Sequence, residues 1–223
     1  MAVPLNGGKR MAVQKLDYAG VREMLLAAAK EIIASKELLT EVDSAIGDGD
    51  HGIGMATGMT KAAAKLETLE QGEDVYKLFS EMGKTMLMSM GGASGVIFGS
   101  MFMGGAKGAG PSAELGAAEL AGLMERSLDT IKARGKAEVG DKTMVDALSP
   151  AVDALKANAG ADLLAALDAA EKAALAGVES TKDLVAKFGR SKTLGERALG
   201  HQDAGATSVW IIFRAMRDYV KGV

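Results

Sequence analysis

Apolar side chains recur along this chain with a helical period almost throughout. Val21, Met24, Leu25, Ala28, Ile32 and Ile33 fall at i, i+3, i+4 spacing and form one stripe. Val209, Ile212, Phe213, Met216 and Val220 form another near the C-terminus. Alternating β-branched runs with hairpin turns are lacking, and Val96-Ile97-Phe98 is too short to read as a strand. Turn and cap residues divide the rest. Gly72 separates a segment starting near His51 from one running from Asp74 to Met90. Gly108 to Ser112 is expected to end the next helix, with Ser112 capping its successor. Thr143-x-x-Asp146 resembles a capping box, and Pro150 is expected to kink the helix that follows it. Gly160-Ala161-Asp162 opens an alanine-rich helix, and Ser180-x-x-Asp183 a short one. The pattern predicts an all-α fold, one domain of about eight helices. Three longer stretches read as non-helical: Thr40 to Asp50, Arg134 to Lys142, and Phe188 to Gly205. Loops of that length in a helical protein are where function concentrates.

Composition narrows the class. Hydrophobic residues are 48% and charged residues 25% of the 223, which excludes a disordered chain. A formal charge of -3 argues against a nucleic-acid binder. With no cysteine, disulfides, thiolate metal sites and cysteine nucleophiles are excluded. Aromatics are only 4%, whereas there are 29 glycines and 14 methionines. The core must therefore come from aliphatic residues, Met and Ala, whose small members let helices approach closely. Met1 to Tyr18 has no apolar h-region and reads as a tail before the first helix, flexible over residues 1–11, with the folded domain spanning 12–223. Thr85 to Ala106 carries no charge and is long enough to cross a bilayer. Its six glycines and its Gly95-x-x-x-Gly99 spacing favour a buried soluble helix with a glycine-rich start, and no membrane association is expected.

The sharpest local feature is Asp43-Ser44-Ala45-Ile46-Gly47-Asp48-Gly49-Asp50-His51-Gly52. Gly47 and Gly49 let the backbone bend so that three carboxylates can converge. Converging carboxylates repel, and a hard divalent cation removes the conflict. Mg²⁺ takes oxygen ligands and commonly binds through a few carboxylates plus phosphate oxygens. Asp43, Asp48 and Asp50 are thus candidate metal ligands; the bland alternative is an exposed acidic helix-capping loop. Gly47-x-Gly49-x-x-Gly52 satisfies a dinucleotide fingerprint, but no strand precedes it. Asp48-x-Asp50 begins like an EF-hand, but Gly52 and Met59 stand at its fifth and twelfth positions.

Weaker signals lie elsewhere. Met90-Gly91-Gly92-Ala93-Ser94-Gly95 opens a helix and reads equally as a phosphate cradle or a tight turn. Gly83-Lys84-Thr85 ends like a Walker A loop, but Leu78 occupies the place of its first glycine. Gly140-Asp141-Lys142-Thr143-Met144 is a polar knot before a helix, ordinarily just a cap. Arg190 is suited to pairing with phosphate, and Asp203 reads in isolation as a plain N-cap. The only histidines, His51 and His201, both fall in polar loops, which tilts them toward a site role.

Taken in order, four motifs carry a resemblance: Asp43-x4-Asp48-Gly-Asp50-His51-Gly52; Gly91-Gly92-Ala93-Ser94-Gly95; Gly140-Asp141-Lys142-Thr143-Met144-x-Asp146-Ala147; and Gly195-Glu196-Arg197-x3-His201-Gln202-Asp203-x-Gly205-Ala206-Thr207-Ser208. Together they resemble the nucleotide-binding L subunit of dihydroxyacetone kinase (DhaL), from about Ala12 to the C-terminus. The resemblance implies an antiparallel barrel of about eight helices with ADP or ATP at one end, in a cytoplasmic protein. It implies a pair of Mg²⁺ ions on Asp43, Asp48 and Asp50, bridging to the phosphates. It implies phosphate contacts from His51, Gly52, Ile53, Gly54, Ala93 and Ser94, base and ribose contacts from Gly135, Met144 and Arg190, and closure by Asp203, Ala204 and Gly205. Ala204 departs from the family, which usually has proline there. The implied activity is half of a kinase: the chain would deliver phosphoryl groups to dihydroxyacetone or a related ketose held covalently by a separate K subunit. ATP would be consumed, or a resident ADP recharged by an M-type phosphotransferase-system protein. The rival reading is a nucleotide-sensing module that regulates a partner without transfer.

Overall fold

The computed structural model describes residues 13–223; the tail expected over residues 1–11 lies outside them. Among the described residues are nine α-helices: α1 (Tyr18–Ala34), α2 (Lys36–Ile46), α3 (His51–Glu67), α4 (Val75–Met90), α5 (Gly92–Met103), α6 (Ala117–Gly135), α7 (Val145–Ala157), α8 (Leu163–Ser180) and α9 (Ala204–Gly222). Eight of them close a ring. From α3 to α9 each helix packs on the next, and α1 packs on both α3 and α9. The starts of α3, α5, α7 and α9 line one cleft, as antiparallel packing of successive ring helices requires. The ninth, α2, lies outside the ring against α3 and α9.

Both predicted stripes line the interior. Val21, Met24, Leu25, Ala28 and Ile32 are fully buried, as are Val209, Ile212, Phe213 and Met216. Aspartates at helix starts explain several boundaries. The carboxylates of Asp17, Asp74, Asp162 and Asp203 each accept a bond from a backbone N–H in the first turn of α1, α4, α8 and α9.

Several expectations change. Thr40 to Ile46 is not loop but the last part of α2, so only Gly47 to Asp50 joins α2 to α3. Residues just before α1 are paired: Lys15–Leu16 forms a two-residue antiparallel bridge with Leu115–Gly116. The helix α5 stops at Met103, earlier than Gly108, and Ser112 does not cap α6; Glu119 does, accepting from the Gly116 N–H at 3.0 Å. Pro150 lies inside α7, which starts before it and runs from Val145 to Ala157. Proline removes only the bond that would have reached the Asp146 carbonyl.

Small residues set the helix spacing. A Cβ on Gly83 would lie 2.4 Å from the Gly99 carbonyl oxygen, so α4 and α5 touch through their backbones. The Gly95-x-x-x-Gly99 spacing thus serves packing within this fold. No described helix is long and apolar enough to cross a membrane. Gly177 of α8 rests against the Asp146 carbonyl that Pro150 leaves free: a Cβ there would come within 2.2 Å of the oxygen. Gly122 is different, since only the flexible end of Arg126 lies within reach. We predict opposite signs for the same substitution. Gly177→Ala should destabilise by about 1–3 kcal/mol through overpacking. Gly122→Ala should be neutral or stabilise by up to about 1 kcal/mol through helix propensity. Urea unfolding of both variants checks this; equal effects would show that helix spacing is not set by backbone contact.

Candidate functional site

An antiparallel ring brings alternate helix ends together. The N-termini of α3, α5, α7 and α9 share one end of the barrel and face a common cleft of about 670 Å³. Four helix N-termini with their aligned dipoles make that end attractive to anions. The same cleft holds the carboxylates.

Asp43 projects from the last turns of α2, and Asp48 and Asp50 from the short turn into α3. One oxygen from each lies within 4.8 Å of the others. Two glycines allow this. A Cβ on Gly47 would sit 2.5 Å from Asp43 Oδ1, and Gly49 has a φ of 77°. Asp43 Oδ2 also accepts the His51 N–H at 3.3 Å, which fixes the turn. Asp50 occupies the N-cap position of α3 yet makes no side-chain cap bond, unlike the four capping aspartates. The plain capping reading therefore fails for it. Burial pushes the Asp50 carboxyl above its ordinary value, and the nearby Asp48 and Asp43 push it further; Arg190 opposes them. Arg190 reaches Asp48 at 2.9 Å as an ion pair. An oxygen-only donor set this crowded suits a hard divalent cation.

Most of the remaining expected residues are brought to the same cleft. His51, Ile53, Gly54, Ala93, Ser94, Met144, Arg190, Asp203, Ala204 and Gly205 all line the cleft. Gly52 and Gly135 do not. Gly52 is buried against α2, where a Cβ would lie 2.3 Å from the Lys36 carbonyl oxygen, so it seats α2 on α3. Gly135 ends α6, and its Cβ position faces Ile97. His51 is a buried anchor: its Nε2 lies 2.8 Å from Ser208 Oγ of α9, its ring packs on Phe98, and burial lowers its pKa. His201 stays exposed, outside the cleft lining.

Sequence reasoning missed Thr57, Ile97, Phe98, Phe188 and Ser191 in the lining. The first three lie one helical turn beyond predicted contacts, a spacing that points to them. Phe188 and Ser191 flank Gly189-Arg190, the only signal there. The polar knot proves to be more than a cap. Asp146 accepts the N–H groups of Gly140 at 2.6 Å and Thr143 at 2.7 Å, half of the expected capping box. Lys142 is 2% exposed and lines the cleft floor.

Asp203 combines cap and site. Its carboxylate accepts the Ala206 N–H at 2.7 Å while facing the cleft. Burial pushes its pKa from 3.8 up to about 7, with Asp146 and Asp43 adding to the rise and the Ala206 bond and Lys142 opposing it. The folded chain thus keeps a proton that the unfolded chain loses near pH 4. This contribution to stability is full below about pH 4 and is lost as pH rises to about 7. We predict that the stability difference between wild type and Asp203→Asn falls from pH 5 to 7, by at most about 1.4 kcal/mol per pH unit, and then levels. Urea unfolding in EDTA at several pH values measures it; a difference independent of pH would contradict the assignment.

Comparison with known proteins agrees with this geometry. The DAK2 domain profile matches residues 45–218. The chain is 39% identical over 208 residues to the ADP-binding subunit DhaL of PEP-dependent dihydroxyacetone kinase 2 from Listeria innocua, covering 92% of this chain and 96% of that protein. It is 39% identical over 182 residues to the corresponding Escherichia coli subunit, covering 81% of this chain and 86% of that one. The crystal structure of the dihydroxyacetone kinase from C. freundii in complex with AMP-PNP and Mg2+ superimposes with a TM-score of 0.70 at 27% identity. That match covers 98% of this chain but 37% of the C. freundii chain. A profile match across most of the fold, together with relatives that align nearly end to end, shows that the chain belongs to the DAK2-domain family of dihydroxyacetone kinases.

Proposed function

We propose that this chain is the Mg²⁺-dependent ADP- or ATP-binding subunit of a two-component kinase for dihydroxyacetone or a related small ketose. The observation that carries the reading is the convergence of Asp43, Asp48 and Asp50 within 4.8 Å beside four helix N-termini in one cleft. Cations and polyphosphate each satisfy what the other leaves open. The carboxylates would hold a pair of Mg²⁺ ions, which supply charge neutralisation to the transferring phosphate.

The chain's own groups would do the rest. Backbone N–H groups around Ala93 and Ser94 and at the start of α3 would orient the phosphates. Gly91 and Gly92, at φ values of 69° and 60°, leave that turn without side-chain cover. Arg190 would exchange its bond to Asp48 for a phosphate oxygen once cations occupy the carboxylates. Met144, Ile97, Phe98 and Phe188 offer apolar surface to the base. Asp203 to Gly205 would close the wall and exclude water.

Lys142, the lysine in the cleft lining, has its three donors taken by backbone carbonyls, and the ketose would be held on a separate K-type subunit. An M-type phosphotransferase-system protein would recharge bound ADP in one version of this chemistry. The chain resembles DhaL subunits of PEP-dependent kinases, which favours that version.

Two experiments test the reading. Asp48→Ala should keep its helicity by circular dichroism yet lose at least about tenfold in Mg–ADP affinity by calorimetry, some 1.4 kcal/mol. Wild-type affinity in that variant would refute the platform. Mixed with a K-type subunit loaded with dihydroxyacetone, the chain should transfer phosphate from ATP or, with PEP and the phosphotransferase proteins, from recharged ADP. Nucleotide binding without transfer under either regime would leave the sensing role instead.

A further inference from the structure

The segment from Thr181 to His201 presents Phe188, Gly189, Arg190 and Ser191 to the cleft. Its position is not set by hydrophobic burial. Between Phe188 and Gly200 only Ala198 is buried, and the 3-10 turns over Arg190–Ala198 are interrupted at Gly195, where φ is 56° and ψ -130°. Polar contacts must help to hold this strap: Arg190 pairs with Asp48, and the other tethers to the body of the barrel gather on one dipeptide.

Asp141 takes its near end. The Asp141 carbonyl accepts the Lys187 N–H at 3.1 Å, and its carboxylate pairs with Lys187 Nζ at 2.6 Å. Lys142 takes both roots. Its Nζ donates to the carbonyls of Thr181 at 2.6 Å, Ala198 at 2.9 Å and His201 at 2.5 Å. An ammonium has three donors, and all three are used. Thr181 caps the C-terminus of α8, where unpaired carbonyls carry partial negative charge and favour a cation. Lys142 also has a φ of 58°, a conformation costly for any side chain but glycine. A lysine retained there, 2% exposed, points to a requirement for the side chain itself.

We propose that Lys142 is a positioning residue: its ammonium clasps the 181–201 strap to the start of α7 and so holds Phe188 to Ser191 as a preformed cleft wall for the nucleotide. The proposal rests on the nucleotide-binding reading for its ligand, but the clasp itself does not. Without the ammonium, three carbonyls, two of them in buried bonds, lose their partner and the strap detaches while the nine helices stay packed. Nucleotide must then order the strap on binding, and affinity falls.

The absence of cysteine from the chain permits a clean test. Lys142→Cys, unfolded, can be alkylated at one site with 2-bromoethylamine or with 1-bromopropane and refolded. The two products are isosteric and differ only in a terminal ammonium or methyl. We expect the propyl protein to remain helical, to exchange the amides of 182–201 faster, and to bind Mg–ADP at least about tenfold more weakly. Mn²⁺ alone should still bind, because its ligands stand on α2 and the turn into α3. The aminoethyl protein should recover both slow exchange and affinity. Unchanged exchange in the propyl protein, unchanged Mg–ADP affinity, or no recovery in the aminoethyl form would overturn the clasp, and so would loss of helicity in both forms. If the wild type binds no Mg–ADP, the nucleotide reading falls, and the exchange comparison still decides the clasp.

Discussion

Three carboxylates with oxygens within 4.8 Å of one another repel, and packing elsewhere must hold them together. That packing starts at Gly52, whose missing side chain lets α3 approach the Lys36 carbonyl and Thr40 of α2. The contact places the end of α2, with Asp43, over the start of α3. The Asp43 bond to the His51 N–H and the His51 bond to Ser208 then tie the turn to α9. Asp48 is further tied to Arg190, which lends a positive charge to the cluster. The structure thus keeps an electrostatically unfavourable arrangement that a hard divalent cation would relieve.

The antiparallel ring supplies the complement. Closing eight antiparallel helices into a ring sends every second N-terminus to one end, so a surface suited to anions forms there as a consequence of topology. Glycine serves both purposes, backbone contact between α4 and α5 and an open turn at Gly91-Gly92. Few aromatic residues are needed because helices at such distances fill the interior with Met, Leu and Ala. A carboxylate cluster suited to cations beside a rim suited to anions fits the proposed Mg–phosphate ligand.

Much of this was legible in the sequence. Stripes such as Val21 to Ile32 encode burial directly, because helical period and core facing coincide. The three aspartates were legible because their chemistry and their glycines are adjacent in the chain. The helical state of Thr40 to Ile46 was not, since α2 buries only Leu39 and Ile46 and its polar remainder reads like a loop. Gly52 reads like its cleft-lining neighbours in the sequence; only the approach of α2 reveals its packing role. Lys142 was least legible. Its acceptors are backbone carbonyls 39 to 59 residues away, and a carbonyl leaves no mark in a sequence. Phe188 was hidden for a related reason, lying on a strap whose placement depends on those bonds.

The most direct test of this mutual dependence is calorimetric titration of ADP into the native chain with Mg²⁺ and again in EDTA. If carboxylate repulsion is the governing constraint, ADP binds with Mg²⁺ and loses at least about a hundredfold in affinity without it, because uncompensated carboxylates face the phosphates. Equal ADP affinity in the two conditions would contradict it.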